Sequence, residues 1–207
     1  MRNSLYGATE WITRFAYVNI LWIAFTLLGI VILGFFPATV AMFTLIRKWI
    51  MGNTEIPVFP TFWKTFKENF WKSNLIGLVF VVFSYIFYVN VQFMQLNQQT
   101  YLDLFKIPIY LFMILVTLTC LYVIPAFVHY DLRLRDIWKN AFFIMVIHPL
   151  HNISMIVAVI AVLYVLWLIP GTLIFFGGSL VSFIIMGTCY HAFKRVEEKQ
   201  ARMAEEK

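Results

Sequence analysis

The feature that most constrains this chain is the distribution of its charged side chains, which are missing from four long stretches. Residues 15–46, 73–102, 107–130 and 140–193 contain no Asp, Glu, Lys or Arg. A helix needs about 20 apolar residues to cross the hydrocarbon core of a membrane. The first three stretches are each long enough for one crossing, and the last is long enough for two. The sequence therefore predicts a protein that crosses the bilayer several times.

The composition of these stretches favours helices over a β-barrel. Lipid offers no partner for unpaired backbone groups, so only helices and closed barrels span a membrane. Barrel strands alternate apolar and polar residues, whereas residues 21–36 are apolar on every face. The turn signal at residues 169–171 divides the last stretch. We predict an all-α membrane bundle, a single domain over residues 1–207, with about five spans: Phe15–Phe36, Asn74–Gln95, Ile107–Val128, Pro149–Ile169 and Thr172–Phe193.

The basic residues predict an orientation for these five spans. Lys and Arg accumulate on the cytoplasmic side of a membrane protein. The first connector, the third connector and the tail at residues 194–207 carry 13 Lys and Arg between them, and the opposite side carries three, namely Arg2, Arg14 and Lys106. This split places the N-terminus outside and the C-terminus in the cytoplasm. Because the basic residues lie beside span ends, the net charge of +6 points to a membrane surface and not to nucleic acid.

Two connectors are predicted to form amphipathic helices on the cytoplasmic surface, at about residues 59–72 and 132–140. In the first, aromatic residues fall on one helical face and lysines on the other, which is typical of a helix lying in the membrane interface. Such helices either anchor the chain to lipid or dock a partner. If they dock a partner, the candidate contacts are Trp63, Lys64, Phe66, Lys67, Arg135, Trp138 and Lys139.

Small residues mark candidate sites of close helix packing. Gly34 with Ala38, and Gly178 with Ser182, are pairs of small residues four apart, a spacing that lets helix backbones approach in lipid. Pro37 lies inside the first pair and predicts a kink.

The spans carry little that could perform chemistry. Proton-coupled transporters and intramembrane hydrolases place ionisable residues inside their spans, and these spans have no Asp, Glu, Lys or Arg away from their ends. His148 and His151 are three residues apart, but no third metal ligand lies nearby, so we interpret them as interfacial residues at a hinge. The sequence predicts no enzymatic activity, no cofactor and no metal.

Several motifs resemble those of the YesL-like family of bacterial membrane proteins. They are residues 34–43, Arg47-Lys48-Trp49, residues 62–70, residues 134–141 and His148-Pro149. The resemblance covers about residues 15–195. It implies a helical protein of the bacterial plasma membrane with no assigned activity, of a kind often encoded beside carbohydrate ABC importers.

Two functions follow as expectations from this resemblance and from the spans. The first is an accessory subunit of a carbohydrate ABC importer, in contact with the lipid bilayer and with permease subunits. The alternative is a small-solute transporter or channel that acts alone as an oligomer.

Overall fold

The computed structural model describes residues 2–96, 100–169 and 171–205. Over these residues the chain forms eight α-helices: α1 (Arg2–Leu28), α2 (Ile32–Ile50), α3 (Val58–Glu68), α4 (Phe70–Leu96), α5 (Thr100–His129), α6 (Leu134–Ile147), α7 (Pro149–Leu168) and α8 (Thr172–Glu205). The predicted all-α class is confirmed.

Six of these helices, α1, α2, α4, α5, α7 and α8, contain segments long and apolar enough to cross a membrane. The predicted spans from Asn74 onward fall on α4, α5, α7 and α8, with ends that differ by a few residues. The helices reach further than predicted where they leave the apolar stretches: α5 already begins at Thr100, and α8 continues to Glu205. The predicted tail at 194–207 is therefore helical as far as residue 205.

The prediction of one helix over Phe15–Phe36 is wrong, because the chain turns back at residues 29–31. Helix α1 ends at Leu28 and α2 begins at Ile32. Gly34 lies so close to α1 that a Cβ placed on it would be 2.6 Å from the carbonyl oxygen of Phe25. Ile30 and Val31 have positive φ angles of 56° and 61°, which is uncommon for β-branched residues. No Pro, Asn or charged residue marks this turn, and Gly29 alone does not distinguish it from a continuous span.

This extra turn also changes which ends of the helices lie together. Arg14 of α1 is 3.7 Å from Glu55, which follows α2. At the C-terminal end of α2, the Nε of Arg47 lies 3.2 Å from the Nδ1 of His129 on α5. The His129 Nε2 is in turn 3.0 Å from Glu197 on α8. We call the part of the molecule that contains these five residues the charged end.

The five-span prediction places the residues before the first span and those after the last on opposite sides of the membrane. This prediction is therefore wrong. Arg14 and Glu197 both lie at the charged end. One additional reversal of the chain, at residues 29–31, accounts for the difference.

Helix α2 lies at the centre of the fold and packs against α1, α3, α4, α5 and α8. Ala38, Ala41, Leu45 and Ile46 are fully buried on it. Small and branched side chains on one helix let several neighbours approach closely. This helix therefore connects the N-terminal and C-terminal parts of the bundle.

The two predicted amphipathic helices exist, with shifted bounds. Helix α3 ends at Glu68, and residues 70–72 already belong to α4. Helix α6 begins at Leu134 and continues to Ile147, beyond the predicted end at residue 140. The aromatic face of α3 was expected to lie at the lipid boundary, but Phe62 and Phe66 are buried inside the protein.

Candidate docking surface at the charged end

The aromatic face of α3 is fixed to the bundle through Phe25 of α1. The rings of Phe62 and Phe66 each lie 5.1 Å from that of Phe25, and the Trp63 ring lies 5.4 Å from it. Aromatic pairs at these distances add about 0.5–1.5 kcal/mol beyond their area burial. Helix α3 is thus held in a fixed orientation relative to α1, with its opposite face turned outward.

Of the four docking candidates on α3, Lys64 and Lys67 lie on its outward face, and Trp63, which also contacts Phe25, is 39% exposed at the edge of that face. Lys67 lies 4.2 Å from the centre of the Trp63 ring, a cation–π contact. Lys64 lies 3.9 Å from Glu68, and both side chains are exposed. We call Trp63, Lys64, Lys67 and the neighbouring Trp71, which is 81% exposed, the α3 surface. The fourth candidate, Phe66, is a buried contact within the protein.

The docking candidates on α6 are divided between a contact with α4 and the protein surface. The ring of Trp138 packs against Phe80 and Phe83 of α4, at 5.7 and 6.0 Å. Arg135 and Lys139 are exposed. Trp138 therefore connects α6 to α4, and the two basic residues remain available at the surface.

A polar cavity of about 480 Å³ separates part of α3 from α2 and the end of α5. Lys48 lines it from α2, and Thr61, Lys64, Thr65 and Glu68 line it from α3. Hydroxyl, ammonium and carboxylate groups thus face one small volume beside the α3 surface. The sequence alone does not reveal this cavity, because separate helices contribute its walls.

The contact between Arg47, His129 and Glu197 was also not predicted. Arg47 donates from Nε to His129 Nδ1, so the other ring nitrogen, Nε2, carries the proton that His129 donates to Glu197. Next to it, burial and the Glu197 carboxylate raise the pKa of Tyr130. The arrangement joins α2, α5 and α8 at the charged end. Each residue sits at the end of an apolar stretch, but the sequence gives no indication that the three ends meet.

His148 and His151 lie close together, with ring centres 5.2 Å apart. His148 also lines a cleft of about 320 Å³ with Arg195, Lys199 and Arg202 of α8. Burial, and then the neighbouring charged groups of His151, Lys199 and Arg195, lower the pKa of His148. Over the part of the chain that the structure describes, no group of three His, Cys, Asp or Glu side chains is placed to hold a metal ion.

The predicted packing residues lie at two helix contacts. On α2, Gly34, Pro37 and Ala38 are buried, and Gly34 meets the end of α1. On α8, Ser182 is buried, and a Cβ on Gly178 would lie 2.8 Å from the side-chain oxygen of Asn19.

Asn19 connects α1 to α8 through two hydrogen bonds. Its Nδ2 donates to the carbonyl oxygen of Ile174 at 2.6 Å, and its Oδ1 accepts from the backbone N–H of Ser179 at 2.9 Å. Both polar atoms of this buried amide are therefore satisfied. The close approach at Gly178 makes room for this contact.

An apolar cavity of about 560 Å³ lies between α2, α5 and α8. Met42, Phe43, Leu121, Ile124 and Val181 are among the residues that line it. None of the described residues that line it is charged. This cavity fits hydrocarbon better than a polar solute.

Comparison with known proteins gives the chain a family. A family described as "Protein of unknown function, DUF624" matches residues 15–91. Three proteins of Bacillus subtilis (strain 168), each named only as uncharacterized, are similar over most of their length. The chain is 34% identical to YesL (97% of this chain, 94% of YesL), 35% to YteU (91% and 85%) and 33% to YesV (94% and 94%).

No solved structure matches the chain. The relatives, in contrast, align with both the N-terminal and the C-terminal halves of the bundle, well beyond residues 15–91. The chain belongs to the YesL-like family of membrane proteins, whose members matched here have no characterised function.

Proposed function

We propose that the protein is a non-enzymatic accessory subunit of a bacterial carbohydrate ABC import system. It would contact the permease subunits through the α3 surface, with Arg135 and Lys139 of α6 as a second contact. The link to sugar uptake rests on the resemblance to the YesL-like family, and the docking residues rest on the geometry of α3 and α6.

The observation that carries the proposal is the fixed presentation of the α3 surface. Phe62 and Phe66 hold the helix to Phe25, so Trp63 and Lys67 are presented on a rigid support. Tryptophan is enriched among residues that dominate binding energy at protein interfaces. Binding would order few further side chains and no helix, so it would cost little conformational entropy. Such a surface is suited to docking.

The orientation proposed for this complex places the charged end in the cytoplasm of a bacterial plasma membrane. The segments connecting α2 to α4 and α5 to α7 are rich in Lys and Arg, as is the C-terminal part of α8. Arg14 now lies at the same end. From residue 73 to residue 132, which includes the connection between α4 and α5, the sequence has a single Lys or Arg, Lys106 in the first part of α5. Retention of positive charge in the cytoplasm therefore supports this orientation more strongly than it did for five spans.

Affinity purification from native membranes tests the proposal. The tagged protein, extracted in mild detergent, is expected to recover permease subunits of a carbohydrate importer, identified by mass spectrometry. The Lys64→Glu/Lys67→Glu double variant reverses charge without touching the buried aromatics, and we expect it to reduce recovery at least tenfold. Trp167→Ala is the matched control, because this tryptophan is 74% exposed on α7, away from the α3 surface.

Two results would overturn the proposal. One is the absence of any importer subunit in the wild-type sample, together with unchanged sugar uptake in a deletion strain. The other is equal loss of permease in the Trp167→Ala control, which would show that recovery does not depend on the α3 surface.

The alternative, a transporter or channel acting alone, receives less support from the geometry. The apolar cavity between α2, α5 and α8 is lined by carbon-rich side chains, which do not replace the hydration of a polar solute. Solute flux in vesicles reconstituted with the purified chain alone would favour this alternative.

A further inference from the structure

The corner between α6 and α7 is fixed by a buried amide. Asn152 donates from Nδ2 to the carbonyl oxygen of Met145 at 2.9 Å, and its Oδ1 accepts from the Tyr122 hydroxyl at 2.7 Å. The carbonyl oxygen of His148 accepts from the backbone N–H groups of His151 and Asn152 at the first turn of α7. Helices α5, α6 and α7 are therefore joined at this corner, and His148 is held at a defined position.

The cleft beside this corner lies at the level of the lipid headgroups. Ile147 and His148 form one wall, and the part of α8 around Glu197, whose carboxylate meets His129 at the charged end, forms the other. Helix α7 begins at Pro149 and continues for 20 residues without a charge. Because a helix of this length crosses the hydrocarbon core, its first residue marks the boundary between headgroups and acyl chains. The cleft opens next to that residue.

The α8 wall of the cleft is basic. Arg195, Lys199 and Arg202 are spaced four and three residues apart, which places them on one face of the helix. All three are exposed, and none of them forms an ion pair with another side chain that the structure describes. Glu198 is the one acidic residue among the described residues of the lining. Three cations against one carboxylate leave the cleft an excess of positive charge.

The opposite wall provides a polar nitrogen that lacks a partner. The Nε2 of His148 is buried, and no described residue gives it a hydrogen bond. A buried polar group without a partner costs free energy, and an anion that enters the cleft would supply an acceptor. Cations from α8 and an imidazole from the corner are donors that suit the oxygen atoms of a phosphate.

The apolar surface around the cleft favours a lipid over a soluble anion. Ile147, which lines the cleft, is 55% exposed, and Leu150 in the first turn of α7 is 77% exposed. Phe143 lies one turn before Ile147 on α6 and is 49% exposed. A soluble phosphate would leave these side chains uncovered, whereas the acyl chains of a phospholipid would lie against them. Basic pockets between membrane helices on the cytoplasmic side are suited to anionic headgroups.

We propose that this cleft binds the headgroup phosphate of an anionic phospholipid. The three basic side chains of α8 contact the phosphate oxygens, and His148 donates from Nε2 to one of them. The acyl chains lie against the end of α6 and the start of α7. The site is independent of docking on an importer, because it shares no residue with the α3 surface or with the basic residues of α6.

Native mass spectrometry of the purified full chain in detergent tests the proposal. Phosphatidylglycerol and phosphatidylcholine with identical acyl chains are added together, since they differ in net charge and not in acyl chain. We expect one phosphatidylglycerol to bind each chain with an affinity at least about tenfold higher than that of phosphatidylcholine. In the Arg195→Gln/Lys199→Gln variant the two affinities should lie within about twofold of each other.

Arg133→Gln/Lys194→Gln is the matched control, because it also removes two exposed positive charges, and neither residue lines the cleft. It should keep the full preference for phosphatidylglycerol. His148→Leu removes the ring nitrogen and should weaken phosphatidylglycerol binding about fivefold, with phosphatidylcholine binding unchanged. Thermal unfolding of each variant in the same detergent verifies that the bundle is intact.

Equal affinity of the unmodified chain for the two lipids would overturn the proposal. An equal loss of preference in the control variant would do so as well, because it would show a diffuse attraction to the basic surface. Replacing ammonium acetate in the buffer by ammonium phosphate at equal ionic strength supplies the free anion. If phosphate then displaces phosphatidylglycerol completely, the cleft binds a soluble anion and the lipid assignment is wrong.

Discussion

The α1–α2 and α7–α8 hairpins are built alike but differ in the length of their uncharged segments and in how their turns are held. Each consists of two apolar helices joined by three residues, 29–31 and 169–171. In the second hairpin, α7 has 20 residues without a charge, up to Leu168. Helix α8 has 22, from Thr172 to Phe193. In the first, the corresponding segments are only 14 and 15 residues long. The same three-residue connection therefore closes two hairpins whose charged residues lie at different distances from the turn.

The two turns also differ in how they are held. In the α7–α8 hairpin the positive φ of 84° falls on Gly171, and the Thr172 hydroxyl donates to the carbonyls of Leu166 and Ile169. In the α1–α2 hairpin the positive φ values fall on Ile30 and Val31. Here close contact between Gly29 and Gly34 holds the helices together. One turn is specified by its local sequence and the other by packing, which predicts different sensitivities to mutation.

The largest effect is expected for Gly34→Ala. The new Cβ would lie 2.5 Å from the carbonyl oxygen of Thr26 and 2.6 Å from that of Phe25, and backbone atoms cannot move aside as a flexible side chain can. We expect a loss of about 3 kcal/mol, at the upper end of overpacking costs. Thermal unfolding in detergent measures it.

The control for this variant is Gly187→Ala on α8, where a Cβ meets nothing within 4 Å. Because alanine is the better helix former, this substitution should be neutral or stabilise the protein by up to about 1 kcal/mol. Equal stability of the two variants would refute the view that the α1–α2 hairpin depends on this contact.

A smaller loss is expected for Asn19→Leu, which removes the link between the two hairpins. The substitution leaves the Ser179 N–H and the Ile174 carbonyl without the amide. Interhelical hydrogen bonds in membrane proteins contribute about 0.6 to 1.7 kcal/mol each, so we expect a loss of about 1–3 kcal/mol in detergent unfolding. Asn90→Leu is the control, because Asn90 donates only to Ile86 of its own helix. A similar loss in both variants would mean that the α1–α8 link contributes nothing specific.

Much of the α7–α8 hairpin could be predicted from the sequence, and the α1–α2 hairpin could not. Pro170 and Gly171 interrupt a 54-residue uncharged stretch and mark the turn directly. Residues 15–36 form an uncharged, mostly apolar run of about the length of one span. The turn at residues 29–31 depends on contacts of Gly34 with α1 and of Asn74 with Leu33, and these arise only when helices distant in sequence have packed.

The same reasoning applies to the α3 surface. The spacing of aromatic and basic residues correctly predicted an amphipathic helix with Lys64 and Lys67 on the face opposite the aromatic residues. It could not reveal that Phe25 of α1 would cover Phe62 and Phe66, because an aromatic face packs equally well on lipid or on protein. The contact of Arg47 with His129 and Glu197 likewise joins residues more than 60 positions apart.

The smallest expected effects come from exchanging the residues with positive φ between the two turns. Val31→Gly removes the steric cost of a β-branched residue in the left-handed region, about 1–2 kcal/mol, partly offset by the greater freedom of glycine in the unfolded chain. We expect a net gain of about 0.5–1 kcal/mol. Gly171→Val should lose about 1–2 kcal/mol for the converse reason, since a Cβ at Gly171 meets nothing within 4 Å and the backbone alone determines the outcome.

The two substitutions should therefore shift the midpoint of thermal unfolding in opposite directions, each by a few degrees for a chain of this size. If Val31→Gly lowers the midpoint as Gly171→Val does, the valine side chain contributes more to the α1–α2 turn than its backbone conformation costs. The backbone conformations of the two turns would then differ less in their free-energy cost than their φ angles indicate.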